Sequence, residues 1–515
     1  MDSQSVAPPH STPQASVASG HPQVTEAACA ILRAGGNAFD AVVAAGFAAA
    51  VAEPALTSLG GGGFLLARTA QGQAALFDFF VDTPGRGLPD DQREPHFLPV
   101  TVRFPGCEQL FNIGLGSAAT PGNLRGYLHV HRRLGRLPLR EVLAPAIALA
   151  RSGVTINAQQ AYFFELLIPI LTLTAAGQAL FAPEGPVLGA GEVYRNPDLA
   201  AFLETLPRDG DREFYEGALA QSVAAAMRAG GGLLTAADLA GYRVIEREPL
   251  AVDYRGYRLL TNPPPSFGGA LLALSLRLLA TRAVAEPGFG APAHLALLVT
   301  VMQEVDRRRA EGALSSTDLD PSGLTESQAR VRSASGGTTH VSVCDGGGNV
   351  ASMTTSNGEG SGCIVPNTGI MLNNMMGEDD LHPDGFHASP AGLRVASMMA
   401  PSLLLAGDAV RLALGSGGSK RIRTALLQVI SNIVDFQMNL RDAVEAPRLH
   451  WDGERIQIEP GFTGAALSAL SVRWPINLWP GFDVYFGGVH AAAVDGDGAG
   501  DPRRGGCAAR VTVKR

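Results

Sequence analysis

Gly337-Thr338-Thr339-His340-Val341-Ser342-Val343-Cys344-Asp345-Gly346-Gly347-Gly348-Asn349-Val350-Ala351-Ser352-Met353-Thr354-Thr355-Ser356 holds two runs with strand periodicity, parted by a glycine-rich turn. In the first run Thr339, Val341 and Val343 alternate with His340, Ser342 and Cys344. A spacing of two puts the two sets on opposite faces of a β-strand. If Cys344 pairs with Val350 across the turn, Thr338 faces Ser356 at the open end of the hairpin. Two hydroxyls then stand ~5 Å apart at Cβ. A slip of one residue would separate them.

Working outward, residues 307–337 are polar, with little apolar periodicity, and are predicted to be an exposed, mobile segment. Downstream, a strand over 409–414 runs into Gly415-Ser416-Gly417-Gly418-Ser419, which is predicted to open a helix. Ile422, Leu426, Val429, Ile430 and Ile433 share one face of that helix. A glycine loop at a helix N-terminus presents free N–H groups, suited to phosphate, carboxylate or a developing oxyanion. Upstream, residues 24–34 have helical spacing and stop at Gly35-Gly36-Asn37. Asp40 is predicted to cap a second helix over 41–52, apolar on every side and therefore buried. Residues 62–78 read as a strand pair about Gln71-Gly72-Gln73, and 120–300 as mainly helical. Residues 1–18 are predicted to be a flexible tail.

The chain has 515 residues, 46% apolar and 17% charged, so most of it should be packed. A net charge of −8 offers no basic field for nucleic acid or anionic lipid. The apolar run 41–52 is well short of the ~20 residues of a membrane span. The polar N-terminus shows no secretory signal, so the chain reads as soluble and cytoplasmic. Five cysteines form no CxxC pair and are expected to be free thiols. No Gly-Lys pair, GxSxG or HExxH occurs, which excludes a Walker A loop, the α/β-hydrolase elbow and zincin chemistry. His382, His387 and Asp384 lack helical spacing and are not expected to hold a metal; no cofactor is expected.

Taken in order, several motifs resemble the γ-glutamyltranspeptidase family of N-terminal-nucleophile (Ntn) hydrolases. They are His21-Pro22, Leu32-Arg33-Ala34-Gly35-Gly36-Asn37-Ala38 with Asp40, Glu53-Pro54, the glycines before Phe64, and Pro121-Gly122. Pro263-Pro264-Pro265-Ser266, Thr338-Thr339-His340, Leu372-Asn373-Asn374, the 415–419 loop, Ala446-Pro447-Arg448 and Asp501-Pro502-Arg503-Arg504 complete the set. The resemblance spans about 18–508. It implies an α/β fold, a four-layer αββα sandwich built jointly by two chains of one self-cutting precursor. The cut would fall between Gly337 and Thr338, giving a large part, 19–337, and a small part, 338–515. A threonine hydroxyl needs an adjacent base. The α-amino group freed by the cut, with a pKa near ~8, supplies one.

The resemblance also assigns roles. Ser356 stands where the family has a hydroxyl bonding to the nucleophile. Gly417 and Gly418 match its oxyanion-hole glycines, and Ser397 a serine that holds the substrate carboxylate. Glu378 replaces the aspartate that binds the α-amino group. The departures concern glutamyl recognition: Phe80 stands where the family has a carboxylate-gripping arginine, Met375 replaces a glutamine, Gly358 an asparagine and Met398 a serine. Arg394 is a candidate for the missing arginine's work. Three readings stay open: γ-glutamyl transfer or glutathione hydrolysis, hydrolysis of a more apolar acyl amide, and an uncut, inert scaffold. The partners expected are a small amide or peptide and the two subunits of the precursor. The family is usually exported, which the N-terminus does not suggest.

Overall fold

The computed structural model describes residues 14–89, 93–104, 107–310, 337–382, 385–386 and 388–513. Residues 1–13 and 311–336, and with them most of the two predicted mobile segments, lie outside the described residues.

The hairpin forms in the predicted register: Thr338 pairs with Ser356 and Cys344 with Val350. It sits at the centre of a seven-stranded sheet ordered Cys507–Thr512, Gln14–Ser19, Thr338–Cys344, Val350–Ser356, Gly62–Arg68, Ala74–Phe79 and Ile245–Arg247. A six-stranded sheet, ordered Gly498–Ala499, Gly488–Ala493, Ala409–Gly417, Ser402–Ala406, Tyr257–Thr261 and Leu250–Tyr254, packs face to face against it. Strand alternation divides the hairpin between two layers. Val341, Val343, Ala351 and Met353 face outward, in one core with the helices Pro22–Arg33 and Ala38–Ala52. Cys344 and Val350 face inward. The inner faces are also joined by polar bonds: Ser342 Oγ donates to His490 O at 3.1 Å and Ser352 Oγ to Leu414 O at 3.0 Å. Helices Phe267–Ala280, Pro292–Ala310 and Arg421–Val434 cover the far side of the second sheet. The result is the expected αββα sandwich. No helix among the described residues is long and apolar enough to cross a membrane.

Three local expectations are corrected. Gln14–Ser19 belongs not to a tail but to a strand paired with both Cys507–Thr512 and Thr338–Cys344, buried from Ala15 onward. The second helix starts at Ala38 and its N-cap is Asn37, whose Oδ1 accepts from Asp40 N at 2.9 Å. Asp40 is the third helical residue and returns the bond to Asn37 N at 3.0 Å, closing a capping box. The glycine run does not open the next helix directly. The strand continues through Gly415 to Gly417, and the helix starts only at Arg421. Gly417 is therefore a strand residue, while Gly418, at φ 120°, makes the turn.

Candidate active site

Thr338 opens the central strand and Ser356 closes its partner. Both are buried, at 4% and 3% exposure, yet both line one small, partly open pocket. The Gly337 carbonyl is engaged: Ser356 Oγ donates to Gly337 O and accepts from Gly358 N at 2.9 Å. Gly337 N donates to Glu359 Oε1 at 3.1 Å. A Cβ on Gly337 would stand 2.2 Å from Gly358 O and 2.9 Å from Ala55 O, so only glycine fits this slot. On the other side of Thr338, Arg504 Nη1 donates to Thr338 O at 3.0 Å. Gly417 lies against the same carbonyl, since a Cβ there would stand 2.2 Å from Thr338 O.

The cavity wall is mostly apolar. Phe80, Met375, Leu381, Met398, Met399 and Ile422 line it, with Glu378, Ser397 and Ser419 as the polar members beside Thr338 and Ser356. Glu378 and Gly358 fit each other: a Cβ on Gly358 would come within 2.2 Å of Glu378 Oε1 and 1.9 Å of Asn374 Oδ1. The longer acid occupies the room that a side chain at 358 would need. Ser397 Oγ accepts from Met399 N at 3.1 Å. Phe80 stacks on Phe64, with ring centroids 5.4 Å apart.

Arg394 does not join this wall, and the expectation that it grips a substrate carboxylate is corrected. Its Nη1 donates to Asp78 Oδ1 at 2.9 Å, Phe80 O at 2.7 Å and Tyr242 Oη at 3.0 Å. Its Nη2 donates to Arg243 O at 2.6 Å. Its Nε lies 2.8 Å from Asp82 Oδ1, close enough for an ion pair though not in line for a hydrogen bond. A guanidinium engaged this way fastens the loop behind Phe80 and has no fork left for a ligand. His382 Nε2 pairs with Met375 O at 2.9 Å, while Asp384 and His387 lie outside the described residues.

Three charged residues bear on the site without having been singled out as site residues. Glu53 and Arg504 stand inside the quoted motifs, and Glu359 follows the hairpin. Glu53 is buried where the apolar helix ends, and both its oxygens lie 3.0 Å from Thr339 Oγ1, which donates to it. Burial pushes its carboxyl from 4.5 up to about 7, against the opposing pull of the Thr339 hydroxyl and the Arg504 charge. A carboxyl that binds its proton more tightly in the fold than in the unfolded chain stabilises the fold at low pH. That contribution is lost as pH rises from about 4.5 through about 7, and the loss is level above. Glu53→Gln keeps an acceptor for Thr339 and cannot ionise. Relative to this variant the wild type is therefore expected to lose up to ~3 kcal/mol between pH 4.5 and pH 7. Denaturant midpoints of the two proteins across that range check it; parallel curves would remove Glu53 from the account.

Two facing hydroxyls at the open end of a central hairpin, inside a face-to-face αββα sandwich, place the chain in the Ntn-hydrolase fold class. The sequence profile of the gamma-glutamyltranspeptidase family matches residues 24–320 and 312–511, and the chain belongs to that family of enzymes. It is 33% identical over 491 residues to the acylase ACY 1 proenzyme of Pseudomonas sp. (strain SE83), covering 90% of this chain and 87% of that protein. It is 31% identical over 500 residues to the glutathione hydrolase proenzyme of Escherichia coli (strain K12), covering 89% and 85%. The crystal structure of cephalosporin acylase from Bacillus halodurans superposes with a TM-score of 0.81 at 26% identity, covering 99% of this chain and 98% of that one. Relatives that are proenzymes imply a precursor cleaved into two subunits.

Proposed function

We propose that the chain is a self-cleaving amide hydrolase with Thr338 as nucleophile, acting on an acyl group more apolar than γ-glutamyl. In the precursor Thr338 Oγ1 attacks the Gly337 carbonyl, whose oxygen the Ser356 hydroxyl polarises. The C–N bond breaks, the hydroxyl proton passes to the Thr338 nitrogen, and water hydrolyses the resulting ester. The freed amine then serves Thr338 as base toward a substrate amide. An acyl-Thr338 ester forms, the amine leaves with the proton, and water or an acceptor amine releases the acyl group. Gly417 and Gly418 are the candidates for steadying the oxyanion, which in such sites contributes ~3 kcal/mol per donor. Glu378 and Ser397 would meet the polar end of the acyl group.

The observation that carries this reading is the wall. Phe80, Met375, Met398, Met399, Leu381 and Ile422 face the nucleophile, and among the described residues no arginine lines the cavity. A charge-assisted grip on an α-carboxylate is typically worth about 1.5–3 kcal/mol, or roughly 10- to 100-fold in selectivity. The acylase relatives support the same direction. The γ-glutamyl reading stands second, favoured by Glu378 beside the nucleophile and by the glutathione hydrolase relatives. A panel of acyl p-nitroanilides separates them. Aliphatic or aromatic acyl anilides are expected to be cleaved with kcat/KM at least ~10-fold above that for γ-glutamyl p-nitroanilide. The reverse ranking would transfer the proposal to the second reading.

A further inference from the structure

Ser356 and the turn after it meet Gly337 twice, on its carbonyl and on its N–H. Ser356 takes the Gly337 carbonyl, and three residues later Glu359 takes the Gly337 N–H at 3.1 Å. We propose that Glu359 is a positioning residue of self-cleavage: its carboxyl oxygen clamps the Gly337 N–H while Ser356 holds the Gly337 carbonyl, so that rotation about the Gly337 Cα cannot swing the carbonyl away from Thr338. The inference rests on the reading that Gly337–Thr338 is the bond cut.

The clamp is built rigidly. Glu359 N donates to Asn374 Oδ1 at 2.9 Å, and Gly360 N returns to Asn357 O at 3.0 Å. Gly358 and Gly360, at φ 60° and 85°, give the turn its left-handed bends. The walls at Gly358 O and Ala55 O leave Gly337 no sideways room. One hydrogen bond on the N–H side of Gly337 and one on its carbonyl side together restrain its φ and ψ, which a single bond to the carbonyl would not.

Asn374 and the residue's own N–H also bear on the Glu359 carboxyl, but neither bonds its second oxygen. Glu359 is 3% exposed, and its Oε2 has no hydrogen-bond partner among the described residues. Burial and the neighbouring Glu378 hold its carboxyl well above the ordinary carboxylate range. A buried acid left neutral and half-satisfied is a net cost to folding. What it supplies in the precursor is an acceptor oxygen facing Gly337. In the cleavage step Glu359 neither gains nor loses a proton. The Thr338 Oγ–C bond forms, the C–N bond breaks, the hydroxyl proton ends on the Thr338 nitrogen, and water supplies the last bond.

An acceptor role makes a sharp distinction between substitutions of similar size. Glu359→Gln keeps an acceptor oxygen and loses only the ability to ionise; Glu359→Leu and Glu359→Met keep the volume and lose the acceptor. The full chain is made by cell-free synthesis, and conversion of the 515-residue species into two fragments is followed on denaturing gels after a chase. Glu359→Gln is expected to convert within ~3-fold of wild type, and Leu and Met at least ~10-fold more slowly, with melting points close to that of wild type. Leu or Met converting at the wild-type rate would overturn the clamp. So would Gln as slow as Leu, which would assign the effect to charge. If one apolar variant fails to fold, the other carries the comparison. N-terminal sequencing of the wild-type small fragment keeps the two ideas apart. A start other than Thr338 refutes the cut site itself, whereas a Thr338 start with no Gln–Leu difference refutes only the clamp.

Discussion

Thr338→Ala is expected to leave a single uncut 515-residue species with turnover reduced by four orders of magnitude or more. The removed hydroxyl is the nucleophile of both proposed reactions, and loss of a nucleophile in comparable hydrolases costs on the order of 10⁴- to 10⁶-fold. The variant is a clean test because the fold does not depend on the missing atoms. Residue 338 keeps its register opposite Ser356, its carbonyl still accepts from Arg504, and alanine fits where threonine did. Denaturing gels with intact mass report the cut, and the best anilide of the panel reports turnover. Thr338→Ser separates chemistry from shape. A primary hydroxyl at the same place is expected to cut and to turn over, both more slowly, because serine lacks the methyl that restricts rotation about χ1. Two fragments from the alanine variant would move the cut elsewhere; an uncut wild type without activity would favour the inert scaffold.

The hairpin could be read from sequence because its information is local. The turn fixes the register, and the register places Thr338 opposite Ser356 whatever the rest of the chain does. The strand Gln14–Ser19 was not legible for the opposite reason. Its residues are small and weakly apolar, and its two partners lie more than 300 residues away in sequence. Arg394 shows the limit for charged residues. One dimension gives a cation near the right motif, but it does not give Asp78 and Asp82, whose carboxylates claim it. Glu53 and Arg504 illustrate the converse. Their presence in the motifs was plain, while their contacts with Thr339 and Thr338 are made across 286 and 166 residues and exist only in the folded chain. Glu359 carried one faint signal, an acid amid glycines directly after a buried strand, where a solvated turn would be the ordinary expectation.

Gly417→Ala is expected to slow self-cleavage and turnover together by roughly 100-fold or more. Gly417 ends the strand of the second sheet and pairs with Gly488, so its backbone is held by the ladder and cannot retreat. An added methyl would stand 2.2 Å from Thr338 O and 2.9 Å from Arg504 Nη1. The strand that Thr338 opens is the centre of the first sheet, paired along its length with Val350–Ser356 and from Val341 to Cys344 with Gln14–Ser19. Neither partner can yield without breaking ladder bonds, and a shift of about 1 Å at a reacting group is enough to cost two orders of magnitude. The close approach has a chemical use. It brings the glycine turn at 417–418 up to the residue whose hydroxyl attacks in both proposed reactions. Gly418→Ala provides the contrast. Its Cβ would meet Gly487 Cα at 2.9 Å rather than the nucleophile's carbonyl, and at φ 120° it strains the turn itself. Gly417→Ala should therefore move the nucleophile, whereas Gly418→Ala should distort the donor. A nucleophile-directed covalent probe distinguishes them on cut protein: labelling is expected to fall with turnover in Gly417→Ala. Undiminished labelling and cleavage in Gly417→Ala would show that the two sheets are not locked at this contact.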